Sequence, residues 1–204
     1  METIKFIMFG YLSGSILFAR VCAKLLKKPD ILHKSKDGNP GTANAFQYGG
    51  FLCGAITLIG DLAKGFFPVF VYMKYGEAFA GFPLATTLVL ASPVLGHAFP
   101  VFFRFQGGKG IAVTFGCLLG VFPEPTPVLI FALLFVFFSL VLRINPHFVR
   151  TIVTYISTLL MMICLPCSQE FVLGFVLISA TVILRLHLSK EVRGKPEVKL
   201  FWMR

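Results

Sequence analysis

Residues 83–122 read PLATTLVLASPVLGHAFPVFFRFQGGKGIAVTFGCLLGVF, and the only formal charges among them are Arg104 and Lys109. Both charges lie in a short polar break between two apolar runs. The run 83–103 carries no Asp, Glu, Lys or Arg on any face, whereas a helix on the surface of a soluble domain presents a charged side to water. A run of about 20 such residues is what an α-helix needs to cross about 30 Å of hydrocarbon. The stretch therefore reads as two membrane segments joined by a basic glycine loop.

Working outward, the same pattern recurs. Apolar stretches occupy 4–26, 51–73, 83–103, 110–122, 127–143, 148–166 and 170–187, separated by Gly, Pro and charge. The fourth is short: at about 1.5 Å per residue it spans only about 20 Å. Either its helix begins inside the membrane or the glycine loop before it dips below the surface. The 204 residues are 56% hydrophobic and only 14% charged, with a mean hydropathy of +0.83. A water-soluble domain carries about a quarter charged residues, so the outer surface is expected to face lipid. The expected fold class is all-α: a polytopic membrane protein of about seven transmembrane helices, forming one domain over 1–204 with no internal repeat. No cleavable signal peptide is expected, because the first apolar stretch runs directly into a basic loop.

Charge placement sets the expected orientation. Lys24, Lys27, Lys28, Lys34 and Lys36 follow the first stretch, Arg104 and Lys109 the third, and Arg143 and Arg150 the fifth. Lys190, Arg193, Lys195, Lys199 and Arg204 form the tail. The even connections hold Lys74 with Glu77, Glu124, and Glu170. Seven crossings place all the basic connections on one side, giving N-terminus out and C-terminus in the cytoplasm. The net charge of +10 is thus accounted for by membrane topology, and no nucleic-acid partner is expected. Five cysteines scattered through apolar segments do not read as a disulfide framework, and Cys164-x-x-Cys167 lacks a redox context and reads as apolar filling.

Three constellations carry chemistry. The long connection 27–50 contains Ser35-Lys36-Asp37-Gly38-Asn39-Pro40-Gly41-Thr42-Ala43-Asn44. Gly38 and Gly41 permit backbone conformations that expose successive N–H groups, an anion-binding nest, and Thr42 or Asn44 is a candidate helix cap. The second is Gly107-Gly108-Lys109-Gly110, where glycines let a phosphate approach a helix N-terminus and Lys109 adds a point charge. It is not a Walker A loop, since Phe103 stands at the first glycine position and no Ser/Thr follows Lys109, so nucleotide binding is disfavoured. The third is the set of polar groups inside spans. Asp61 and Lys64 are spaced to pair on one helix face and must point inward, His97 lies within the third span, and Gly10-x-x-x-Gly14 is a close-packing motif. Two phosphate loops on one membrane face suggest a pocket with an anionic end and an acyl-chain end, suited to acyl or phosphoryl transfer on a lipid precursor.

In order and spacing, these residues resemble the bacterial acylphosphate:glycerol-3-phosphate acyltransferases, the PlsY family. The likeness runs through Gly14-Ser15, Ser35…Asn39-Pro40-Gly41…Asn44, Asp61-x-x-Lys64-Gly65, Gly96-His97-x-x-Pro100-Val101-Phe102 and Phe105-x-Gly107-Gly108-Lys109-Gly110. It implies seven spans and transfer of a fatty acyl group from acyl phosphate to glycerol 3-phosphate, forming lysophosphatidic acid in phospholipid biosynthesis. It also implies no cofactor or metal, residence in the bacterial inner membrane, and functional coupling to the enzyme that makes acyl phosphate. By the same resemblance Ser35, His97 and His187 are the candidate catalytic residues. Gly38, Asn39, Gly41, Asn44, Gly107, Gly108, Lys109 and Gly110 are the candidates for holding substrate phosphate. The chain departs from the family pattern at Gln47, where an arginine is usual, at Gln106, and in the inverted pair Thr42-Ala43. It departs again in the tail, where the Asn-Ile-x-Arg-Leu block is missing and Arg185, His187 and Glu197 are its remnants. The alternatives are an impaired or regulatory paralogue, an acyltransferase for another phosphorylated acceptor, and a small anion transporter.

Overall fold

A computed structural model describes residues 2–76, 84–191 and 193–200. Pro83, Glu77 and Arg204, used above in the span and charge readings, lie outside them. Each of the seven apolar stretches contains helix. The first is a bent pair, α1 (Glu2–Gly14) and α2 (Phe18–Leu25), inclined by 45°. Two short helices, α3 (Ile31–Lys34) and α4 (Thr42–Gly49), sit in the long connection. Then come α5 (Phe51–Val71), α6 (Ala85–Ala98), α7 (Ile111–Gly120), α8 (Thr126–Val136), α9 (His147–Cys164) and α10 (Gln169–Leu188).

Among the described residues, four helical segments are long and apolar enough to cross a membrane: 51–76, 85–103, 147–164 and 169–188. The bent pair makes a fifth. The remaining two stretches give shorter apolar helices, Thr126–Val141 and the ten-residue α7. The loop before α7 answers the question posed by its length. Gly107 to Gly110 are buried, and the N–H of Gly108 donates to His97 O in the last turn of α6 at 3.0 Å. The chain re-enters the bundle before the helix starts.

Glycine and small residues set the helix spacing. A Cβ on Gly14 would strike the carbonyl of Pro93, and one on Gly96 would strike that of Tyr11, so α1 and α6 meet backbone to backbone as the Gly10-x-x-x-Gly14 motif predicts. Gly65 and Gly116 play the same part between α5 and α7, facing the carbonyls of Val113 and Leu62. The other half of the bundle is held by large side chains. Phe131, Tyr155 and Phe175 are fully buried, with ring centroids 5.0 Å apart for Phe131 and Tyr155 and 5.6 Å for Tyr155 and Phe175. The Tyr155 hydroxyl donates to Thr114 Oγ1 at 2.9 Å, and Thr114 Oγ1 donates to Gly110 O at 2.9 Å. This chain of bonds ties α9 to the start of α7.

The described residues also form one small ribbon beside this all-helical bundle. Strands β1 (Leu142–Asn145) and β2 (Glu197–Leu200) pair antiparallel, Leu142 opposite Leu200 and Asn145 opposite Glu197. The ribbon returns the tail to the junction between α8 and α9.

Candidate active site

The site forms where the connection 27–41 meets the connection 99–110. Asp37 organises the first. Its Oδ1 accepts from the Asn39 N–H at 3.2 Å and from Asn44 Nδ2 at 2.8 Å, while Asn44 Nδ2 also reaches Asn39 O at 2.8 Å. Gly38 supports this turn with φ +64°, which glycine adopts without a Cβ penalty. The second connection is built on close approach: a Cβ on Gly107 would overlap the His97 carbonyl, and one on Gly108 would overlap the His97 ring. Arg185, from α10, clamps it from outside, donating Nε and Nη2 to Gly107 O at 3.1 and 2.6 Å. Gly110 caps α7 with φ +83°, a left-handed residue just before the free N–H groups of the helix.

The two connections touch directly. The Lys109 N–H donates to Asn39 Oδ1 at 3.2 Å. Its side chain, only 8% exposed, places Nζ 2.8 Å from Asp37 Oδ2 and 2.9 Å from Glu191 Oε2. His147 Nδ1 lies 3.2 Å from the other Glu191 oxygen. Burial works to raise the Glu191 carboxyl, but the hydrogen bonds and charges of His147 and Lys109 outweigh it and hold the group below the usual carboxylate range.

Beneath this layer is a buried ion pair. Lys64 Nζ lies 2.8 Å from Asp61 Oδ1, donates to Ile16 O at 2.6 Å and meets His97 Nδ1 at 2.8 Å. An ammonium has three hydrogens and no acceptor, so the three contacts satisfy it and make His97 Nδ1 the acceptor. The proton of the imidazole then sits on Nε2, the atom turned toward the glycine loop. These elements enclose a cavity of about 510 Å³. Its lining combines polar side chains, Asp37, Asn39, Asn44, His97, Lys109 and Glu191, with apolar ones, Leu58, Leu62, Ile111, Phe115 and Phe135. The polar groups suit an anion and the apolar ones a hydrocarbon chain.

A family model described as glycerol-3-phosphate acyltransferase matches residues 4–193. The chain belongs to the glycerol-3-phosphate acyltransferase family. It is 39% identical over 123 residues to a glycerol-3-phosphate acyltransferase of Cupriavidus necator, 60% of each chain. It is 42% identical over 113 residues to that of Thermotoga petrophila, 55% of each. The matched part thus spans a little over half the length of these curated relatives. Among solved structures it is similar to the crystal structure of PlsY (YgiH), an integral membrane glycerol 3-phosphate acyltransferase, in its glycerol 3-phosphate form. That match has a TM-score of 0.77 at 29% identity, covering 92% of this chain and 90% of that one. The lysophosphatidic acid form of PlsY gives 0.74 at 29% identity, covering 91% and 88%.

Within this family frame, the expected site residues divide. Asn39, Gly41, Asn44, His97, Lys109 and Gly110 line the cavity, and so does Asp61. Lys64 lies behind it as the partner of Asp61 and His97. Gly38, Gly107 and Gly108 shape its loops without lining it. Ser35 and His187 are not brought there. Ser35 closes α3, and its buried hydroxyl donates to Leu32 O at 3.2 Å. His187 turns its Nδ1 to Ile183 O at 2.8 Å and packs its ring on Phe148. Neither lines the cavity, unlike His97, with which they were grouped as catalytic candidates. Glu197, a tail remnant, is exposed in β2. Asp37, His147 and Glu191 were not anticipated. A signal for Asp37 was present, an Asp two residues before Asn39 in a glycine turn; nothing local marks the other two.

Proposed function

We propose that this protein transfers a fatty acyl group from acyl phosphate to glycerol 3-phosphate, forming lysophosphatidic acid and inorganic phosphate. The observation that carries the reading is the contact of Asn39 with Lys109 at a cavity lined by both polar and apolar side chains. The acyl chain lies among Leu58, Leu62, Ile111, Phe115 and Phe135. The phosphate groups meet Lys109, the Nε2–H of His97 and the first N–H groups of α7. In this scheme Lys109 exchanges carboxylate partners for phosphate oxygens when substrate enters.

Acyl phosphate is already activated, so alignment and charge stabilisation supply the catalysis. The 1-hydroxyl oxygen of glycerol 3-phosphate bonds to the acyl carbon, and the bond from that carbon to the phosphate oxygen breaks. The phosphate leaves with the electron pair, and a substrate phosphate oxygen takes the hydroxyl proton. His97, fixed by the Asp61–Lys64 pair, donates to developing negative charge and needs no change of protonation. We further place the protein in a bacterial cytoplasmic membrane with seven crossings, N-terminus out, as one domain over 1–204. The enzyme that makes acyl phosphate is its functional neighbour. Cysteine labelling at position 28 from the cytoplasmic side alone supports that topology; labelling from outside refutes it.

The test is direct. Purified protein receives palmitoyl phosphate and labelled glycerol 3-phosphate, with a typical family member alongside. Labelled lysophosphatidic acid well above a boiled control is the expected result; none above it, with the comparison enzyme active, overturns the proposal. The second reading, a regulatory paralogue or a different acceptor, is favoured by Gln47. Where the family carries arginine, this residue is exposed and off the cavity wall.

A further inference from the structure

A second basic feature lies outside the candidate active site. The chain after α2 reverses at Lys27, which has φ +52°. The N–H of Lys28 donates to Ala23 O at 2.8 Å and that of Lys27 to Lys24 O at 3.2 Å, a closure usually made by glycine. The reversal sets Lys27 and Lys28 beside Lys24 and Arg20 around a groove of about 850 Å³. Arg20 is held in place: Nη2 is 2.8 Å from Asp30 Oδ2, and the guanidinium lies over the Phe103 ring at 5.0 Å. Asp30 is the groove's single carboxylate, so with Arg20 paired, three lysines are left without an ion pair among the described residues. All three are exposed. The same groove has an apolar wall. Leu25 is 75% exposed and lines it with Val21 and Phe103, and the wall runs onto the bent first apolar segment.

Lysines around an apolar groove at the end of a membrane segment match one kind of molecule, an amphiphile with a phosphate head. A soluble anion makes no use of Leu25, and a neutral lipid makes no use of the lysines. We propose that this groove binds the headgroup of an anionic phospholipid, with Arg20 as a fixed fork to the phosphate. Lys24, Lys27 and Lys28 complete the charge, and an acyl chain runs along Val21 and Leu25. The groove and the candidate active site lie on the same membrane face, because both are built from the same two connections: Lys28 and Asp37 on one, Phe103 and Lys109 on the other. The local lipid would therefore come from the leaflet that faces the candidate active site.

The experiment uses the full chain in neutral detergent, titrated with dioleoyl phosphatidic acid, dioleoyl phosphatidylcholine or inorganic phosphate. Thermal melting and a dissociation constant are read for each. Because the active-site cavity also suits a phosphorylated lipid, Lys109→Ala serves as the background that separates the two sites. Phosphatidic acid is expected to raise the melting temperature of both the wild type and Lys109→Ala. The Lys24→Glu/Lys27→Glu/Lys28→Glu variant is expected to bind it at least about tenfold more weakly. Phosphatidylcholine and inorganic phosphate produce no groove-dependent shift. Unchanged affinity in the triple variant overturns the proposal, and so does loss of binding in Lys109→Ala. Inorganic phosphate competing at the concentration of the lipid overturns the lipid assignment in favour of a free-anion site. Should charge reversal block folding, Lys24→Gln/Lys28→Gln replaces it, with threefold or greater weakening expected and none decisive against. Acyl transfer is not measured, so this outcome is independent of the proposed reaction.

Discussion

Lys109 is the side chain that joins the polar groups lining the cavity. Its ammonium sits between Asp37 and Glu191, and in the proposed reaction a substrate phosphate would compete with two carboxylates for it. A hydrogen bond to a charged group contributes about 1.5–3 kcal/mol. Lys109→Ala should therefore raise KM for glycerol 3-phosphate at least about tenfold, checked by steady-state assay of labelled lysophosphatidic acid; an unchanged KM removes Lys109 from acceptor binding. Glu191 gives a pH signature. Its folded pKa lies below the ordinary carboxylate value, so its contribution is complete above about pH 4.3 and is lost as pH falls through the depressed value. The melting temperature of Glu191→Gln should lie below that of the wild type at pH 7, with the gap shrinking below about pH 4. A constant gap across that range dismisses the ion pair as a stabilising contact.

Two helix contacts set the geometry at the scale of elements. The α5–α7 contact depends on Gly65 and Gly116 facing opposite carbonyls, which is what lets a ten-residue helix sit deep enough to aim its N-terminus into the cavity. Gly116→Leu should push α7 outward and abolish both folding yield and activity, measured as monodisperse protein recovered in detergent; normal yield with full activity contradicts that packing account. Tyr155→Phe is the gentler probe. It removes the bond from α9 to Thr114 yet leaves the Thr114 bond to Gly110, so it should cost about 1 kcal/mol. Thermal unfolding reads the loss, and no shift dismisses the bond as a tie. The length of α7 was legible in the apolar run 110–122. Its depth was not, because depth follows from which glycines meet which carbonyls on a partner helix.

For the whole molecule, the tail is the decisive part. The ribbon of β1 and β2 returns the chain toward α9, and the segment between α10 and β2 delivers Glu191 to Lys109 and His147. The Lys190 N–H adds a bond to Asp37 O at 3.2 Å, so the tail braces the first glycine loop as well. Deleting residues 195–204 should leave β1 unpaired, speed proteolysis between 189 and 194, and lower acyl transfer severalfold. Limited proteolysis with the labelled assay checks this. Equal protection in the shortened chain shows that the ribbon does not hold the tail.

From the sequence by itself came the apolar segments, the two glycine loops, the inward ion pair of Asp61 and Lys64, and the part of the site carried by Asn39, His97 and Lys109. These follow from local chemistry: hydrocarbon requires long apolar runs, and a loop meant to approach an anion requires glycine and a cation within a few residues. Only the tertiary structure decided that Ser35 caps its own helix, that His187 packs on Phe148, and that Glu191 joins Lys109 to His147. Those outcomes depend on side-chain direction and on contacts between residues far apart in the chain, such as Asn145 with Glu197. No short window of sequence encodes such a meeting, because its energy exists only once both partners have been packed into place.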